Sequence, residues 1–136
     1  MKSNLHFLKE IHLQSIKDER GNLGVLELQN QIDFHIQRIY YLSNVPEGEF
    51  RGAHAHINLE QIFLAPTGKC ILEVTDGKTT DTVELSESGP AYYLPAGYWR
   101  NIFSFTNNAV CLVLASLPYS ESDYIRDFDD YLKWKE

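Results

Sequence analysis

Long apolar runs are missing from this sequence. No stretch approaches the roughly 20 apolar residues of a membrane span, and the first residues, MKSNLHFLKE, lack the apolar core of a secretory signal. The expected location is therefore the cytoplasm. Cysteine is scarce: Cys70 and Cys111 stand far apart, each inside an apolar run (CILEV and VCLVL), with no CxxC spacing for zinc or dithiol chemistry. Buried, reduced thiols are the expectation, in keeping with a reducing compartment. Positive charge is also in short supply. Twelve Lys plus Arg against 19 Asp plus Glu give a net charge of -7, which disfavours non-specific attachment to nucleic acid or anionic membrane. Neither is expected as a partner. An anionic ligand must then be held by local cations, and the five arginines, at 20, 38, 51, 100 and 126, become informative. Repeats, linkers and low-complexity tracts are absent as well, so the 136 residues are read as one domain spanning 1-136.

What is present is a series of short β-branched and aromatic runs separated by turn residues. Strands are predicted at 24–28, 34–42, 59–66, 69–74, 78–85, 90–95, 101–105 and 109–116. Asp76-Gly77 reads as a two-residue hairpin turn, and Pro66-Thr67-Gly68, Pro95-Ala96-Gly97 and Asn107-Asn108 read as further turns. Strands at this spacing imply an all-β, antiparallel sandwich or barrel. The C-terminus differs: Ile125, Phe128 and Leu132 recur with helical spacing, with Ser122-Asp123 as the expected cap and Lys133 and Lys135 at the far end.

Chemistry concentrates in RGAHAHINLEQ, Arg51 to Gln61. Alternate residues of a strand share a face, so His54 and His56 point the same way, and Glu60 joins them if the strand continues without a bulge. Such a set can move protons, or can hold zinc or non-haem iron through nitrogen and oxygen donors. A second segment, GPAYYLPAGYWRNIF, carries Gly89, Pro95 and Gly97.

Together the two segments resemble the paired motifs of the cupin superfamily, G-x5-H-x-H-x3,4-E-x6-G and G-x5-P-x-G-x2-H-x3-N. The first is matched at His54, His56, Glu60 and, one residue late, Gly68, without its leading glycine. The second departs at its histidine, where Arg100 stands. A guanidinium has no lone pair to give and repels a divalent cation, so no tightly held catalytic metal is expected. The stretches DERGNLGVLE, QRIYYLSNVPEGEFRGAHAHINLEQ and ASLPYSESDYIRDFDDYLKW give a narrower likeness. They resemble the dTDP-4-keto-6-deoxyglucose 3,4-ketoisomerases across nearly the whole chain. The resemblance implies a cupin-type antiparallel β-barrel (jelly roll) with a short C-terminal helix, and no cofactor or metal. It also implies a dTDP-linked 4-keto-6-deoxyhexose as substrate, a homodimer that exchanges N-terminal strands, and His54 and His56 as the catalytic pair.

The remaining candidates are substrate-binding residues. Arg38 shares the parity of Phe34, Ile36 and Tyr40 and is expected to point inward, where a buried cation needs an anionic partner or a core carboxylate such as Glu60. Arg20 in ERGNLG, Arg51 before the histidines and Arg100 lie in segments able to meet at one barrel mouth, and forked donors suit a diphosphate. Tyr40 and Trp99 are expected to present flat faces to a base or sugar ring. The chemistry expected is a tautomerisation through an enediolate, with His56 moving the carbon proton and His54 the oxygen proton. A cupin sugar epimerase acting at C3 and C5, a metal-dependent cupin and a non-catalytic nucleotide-sugar-binding module are the alternatives.

Overall fold

The computed structural model describes residues 4–27 and 34–136. Twelve strands are described: β1 (Lys9–Ile11), β2 (Gln14–Asp18), β3 (Gly21–Val25), β4 (Arg38–Ser43), β5 (Arg51–His56), β6 (Gln61–Thr67), β7 (Lys69–Thr75), β8 (Thr80–Ser86), β9 (Ala91–Leu94), β10 (Trp99–Phe103), β11 (Val110–Ala115) and β12 (Tyr124–Ile125). One helix, α1 (Phe128–Lys135), follows. Two antiparallel five-stranded sheets form, in the orders β1-β9-β6-β11-β4 and β12-β5-β10-β7-β8, with β2-β3 as a separate two-stranded hairpin. This is the all-β jelly-roll architecture that the motifs imply, and no helix among the described residues is long and apolar enough to cross a membrane.

Side-chain alternation builds the core. In β7, Cys70, Leu72 and Val74 are buried, and in β8 the buried positions are Asp81, Val83 and Leu85. These meet Phe63, Ala65, Cys111 and Val113 of the facing sheet, each large apolar side chain adding roughly 1.5–3 kcal/mol by leaving water. Both cysteines are free and buried, as expected. Buried Asp81 is no defect. Its carboxylate accepts from the backbone N–H groups of His6, Phe7 and Leu8 at 2.7–3.1 Å, which fastens the N-terminal segment to β8.

Several boundaries differ from the sequence reading. The strand expected from Phe34 begins at Arg38. The run expected from Gly24 to Leu28 is seen as β3, which starts at Gly21 and pairs with β2, while Leu28 lies outside the described residues. Asp76-Gly77 is part of a four-residue loop, because Thr75 pairs with Thr80. The Asp76 carboxylate, accepting from the N–H groups of Lys78 and Thr79, stabilises that wider turn. The C-terminal helix is capped by Asp127, which accepts from Asp130 N, and not by Ser122-Asp123, which lie in a 3-10 turn spanning Glu121–Asp123. The reason is competition: the Asp123 carboxylate is taken up by β5 and the loop after it.

Candidate active site

β5 places the histidines. Gly52 (φ 90°) and Ala53 (φ 57°) take left-handed backbone, and the register against β10 shifts between Arg100 and Asn101, so a bulge sits just before His54. A Cβ on Gly52 would stand 3.0 Å from the Arg100 carbonyl oxygen, and this close approach together with the left-handed backbone favours glycine there. Beyond the bulge the alternation is regular. Ala55 points outward into a cluster with Trp99 and Tyr131, while His54 and His56 point inward with ring centroids 4.8 Å apart and planes at 86°.

The two rings share a tautomer. His54 Nδ1 lies 3.0 Å from the Gly52 carbonyl oxygen, and His56 Nδ1 lies 3.1 Å from Asp123 Oδ2. Both acceptors call for a proton on Nδ1, which leaves each Nε2 with its lone pair, and neither Nε2 has a partner among the described residues. Asp123 also accepts from Asn58 N at 2.7 Å and Leu59 N at 3.2 Å, so its orientation is fixed independently of the histidine. Burial, followed by the Arg100 charge, lowers His54 to about 4. The same two causes, joined by His54, Arg38 and Arg126, push His56 lower still. Both imidazoles are therefore neutral bases at pH 7.

His54 lines a cavity of about 450 Å³, whose walls also carry Arg38, Arg51, Arg100 and Arg126 with Tyr40 and Tyr124. His56, 1% exposed, lies behind it. Arg38 faces inward from β4, as its parity predicts, yet no carboxylate pairs with it: its Nε and Nη2 are buried without a partner among the described residues, and its guanidinium sits 5.3 Å from the Tyr40 ring and 5.8 Å from the Tyr119 ring. Arg100 is 1% exposed. It donates to Gln61 Oε1 and, at 3.1 Å, to the Tyr98 carbonyl, with Nε left over. Desolvation lowers it to about 10, so it stays charged at neutral pH. Unpaired buried N–H donors are costly, and an anionic oxygen in the cavity is the acceptor that would satisfy them.

Three expectations are corrected. Glu60 does not join the histidines, because β5 ends at His56 and the chain turns at Ile57; the Glu60 carboxylate instead accepts from the Tyr93 hydroxyl at 2.5 Å. Trp99 does not face the cavity. It alternates with Arg100 and is packed edge-on against Phe128, 5.1 Å between centroids, under α1. Arg20 does not reach this chain's own cavity, since it sits at the exposed tip of the β2-β3 hairpin and is engaged by Asp18 at 2.6 Å. Four arginines do share one cavity, but the fourth is Arg126.

Sequence reasoning did not place Arg126, Tyr124, Asp123 or Gln61 in the site. The first three lie in the stretch ASLPYSESDYIRDFDDYLKW, where Asp123 was read as part of a helix cap. A signal for Gln61 was available, since it is the one polar member of the inward row Gln61, Phe63, Ala65. Among the described residues, no three His, Cys, Asp or Glu side chains gather as a group able to hold a metal ion.

Comparison with known proteins adds a family. Residues 6–136 match the family model described as FdtA: WxcM-like, C-terminal. A TDP-4-oxo-6-deoxy-alpha-D-glucose-3,4-oxoisomerase from Aneurinibacillus thermoaerophilus is 35% identical over 126 residues, covering 93% of this chain and 91% of the relative. The 3,4-ketoisomerase QdtA from Thermoanaerobacterium thermosaccharolyticum, solved as a His-to-Asn mutant in complex with TDP-4-keto-6-deoxyglucose, superposes with a TM-score of 0.89 at 32% identity, covering 96% of this chain and 95% of that one. A 3,4-ketoisomerase from Helicobacter canadensis gives 0.88 at 35% identity, with 96% and 98% covered.

Proposed function

The chain belongs to the FdtA-type family of sugar-nucleotide 3,4-ketoisomerases, and from that membership we propose that it converts TDP-4-keto-6-deoxyglucose to the 3-keto-6-deoxyhexose. The observation that carries this reading is the free Nε2 of a neutral His54 on the wall of a cavity bearing four arginines. The C4 ketone acidifies the hydrogen on C3. A neutral imidazole removes that proton and exchanges it with solvent, an enediolate forms, a solvent-derived proton is delivered to C4, and the hydroxyl proton on O3 passes to O4 as the C3 ketone appears. Sequence reasoning gave carbon-proton transfer to His56. The geometry favours the exchanged assignment, with His54 as carbon base, because His54 is the member of the pair that lines the cavity. His56, held by Asp123, then serves the oxygen side or steadies the charge on its neighbour.

Arg38, Arg51, Arg100 and Arg126 supply the cations that a diphosphate and an enediolate oxygen require, and Tyr40 lines the same cavity. With Arg100 in the fourth ligand position and Glu60 bonded to Tyr93, the site works on this reading without a resident metal. A homodimer is part of the same reading. Among the described residues the β2-β3 hairpin pairs only within itself, and its Ile16 and Leu23, like Ile39 and Tyr41 of β4, are exposed apolar side chains of the kind a second copy covers. Exchange of that hairpin would carry Arg20 toward a partner's cavity.

The test is turnover of TDP-4-keto-6-deoxyglucose with the product identified by NMR. The parent is expected to yield the 3-keto sugar, and His54→Asn to lose at least ~10²-fold in kcat. Equal rates in parent and variant would remove His54 from the chemistry.

A further inference from the structure

Gln61 opens β6 and is 1% exposed. Its amide bridges two groups of the site: Arg100 Nη1 donates to Oε1, and Nε2 donates to the Tyr40 hydroxyl oxygen at 2.9 Å. A guanidinium carries only donors, so the amide has no choice of orientation. Its oxygen must face Arg100 and its nitrogen must face Tyr40. The phenol oxygen is then an acceptor, and its own proton has to point elsewhere. No acceptor takes that proton among the described residues, and Tyr40 lines the cavity while Gln61 does not.

We propose that Gln61 is a positioning residue which, clamped by Arg100, turns the Tyr40 hydroxyl proton into the cavity as a donor to the sugar oxygen that gains negative charge. The identity of that oxygen rests on the ketoisomerase reading. The bonds run in one sense from a fixed cation, Arg100 to Gln61 to Tyr40, so each donor polarises the next. The arrangement is set before substrate arrives, which is what makes such a donor effective when charge develops.

Gln61→Glu reverses the last link without changing the shape of the side chain. Its carboxylate pairs with Arg100 and offers Tyr40 only lone pairs, so the phenol proton turns inward. The expected result is a kcat about 10²-fold lower with KM changed less than about twofold, as for loss of one oxyanion donor. Tyr40→Phe should show a similar loss. The double variant should be no slower than Tyr40→Phe alone, because the two residues act through one proton. A Gln61→Glu loss that persists in full on the Tyr40→Phe background, or an unchanged kcat in Gln61→Glu, overturns the proposal. If Gln61→Glu fails to fold, Gln61→Met, which frees the phenol to rotate, carries the same double-variant comparison with a smaller loss. Titration of ring-carbon-labelled tyrosine by NMR reads the hydrogen bond without turnover. The Tyr40 phenol should titrate higher in Gln61→Glu than in the parent, and an unshifted titration contradicts the relay. Should the parent convert no TDP-4-keto-6-deoxyglucose, the activity reading fails and the titration alone decides the relay.

Discussion

Histidine titrates near neutrality when free, at about 6.5, and the protein moves both members of its pair away from that range. Burial comes first and the Arg100 charge second, taking His54 to about 4. Acid inactivation should follow that value: kcat/KM is expected to hold through pH 6 and to fall as the pH approaches 4, where protonated His54 ceases to be a base. A limb centred near 6.5 in the pH-rate profile would show the ring to be unperturbed. Stability has its own pH dependence with a determined sign. Below about 6.5 the unfolded chain binds protons at these histidines that the folded chain refuses, so folding stability declines as pH falls, the His54 part ending near pH 4 and the His56 part continuing lower. The midpoint of thermal unfolding should be lower at pH 5 than at pH 7, and His54→Asn should reduce that difference. Asp123→Asn tests orientation. An amide N–H facing His56 would force the other tautomer, and kcat should drop about 10²-fold with little change in KM. Of these residues, the histidine pair was legible in the sequence because strand alternation is local. Glu60 was misplaced because the strand breaks one residue after His56, and Asp123 was invisible because it arrives from 67 residues away.

Elements hold the site through β5 and β10. The bulge at Gly52 re-aims β5 just before His54, and a side chain there meets both left-handed backbone and the Arg100 carbonyl. Gly52→Ala is expected to cost roughly 1–3 kcal/mol and to lower kcat as well, measured by denaturant unfolding and turnover; an unchanged protein would mean that the bulge relaxes freely. Behind β10, fully buried Tyr131 sets its hydroxyl 2.9 Å from the Gly97 carbonyl and 3.2 Å from that of Thr75, so α1 fastens the strand that carries Arg100. The strands from β6 to β11 could be read from their punctuation, because apolar alternation and turn residues coincide there, whereas Ile125, counted in the helical spacing, belongs to β12. β1 and β2, with the sequences KEI and QSIKD, carry too little apolar signal to be read locally, and their pairing comes from β9 and β3. Helical spacing found α1, but the burial pattern centres on Tyr131 while Phe128 and Leu132 are 40% and 36% exposed.

The molecule as a whole is acidic, with a net charge of -7, yet four of its five arginines line one cavity. Global charge and local charge thus oppose each other, and an anionic ligand is held against the overall field by short-range donors. Arg100 is buried and Arg38 half-buried, and such charges are screened less by salt than those of exposed Arg51 and Arg126, so the part of TDP affinity owed to Arg38 and Arg100 should persist from low to physiological ionic strength, and Arg38→Ala should weaken binding at every salt concentration. The jelly roll and the kind of ligand were legible in the sequence through its resemblance, across nearly the whole chain, to the ketoisomerase family. The convergence of Arg126 with Arg38 was not, because it depends on how a C-terminal turn folds across β5. The most direct measurement is NMR of TDP-4-keto-6-deoxyglucose incubated with the protein in deuterated water. The account predicts a 3-keto product carrying deuterium at C4. Product without solvent deuterium at C4, or exchange at C5 with the ketone still at C4, would contradict it.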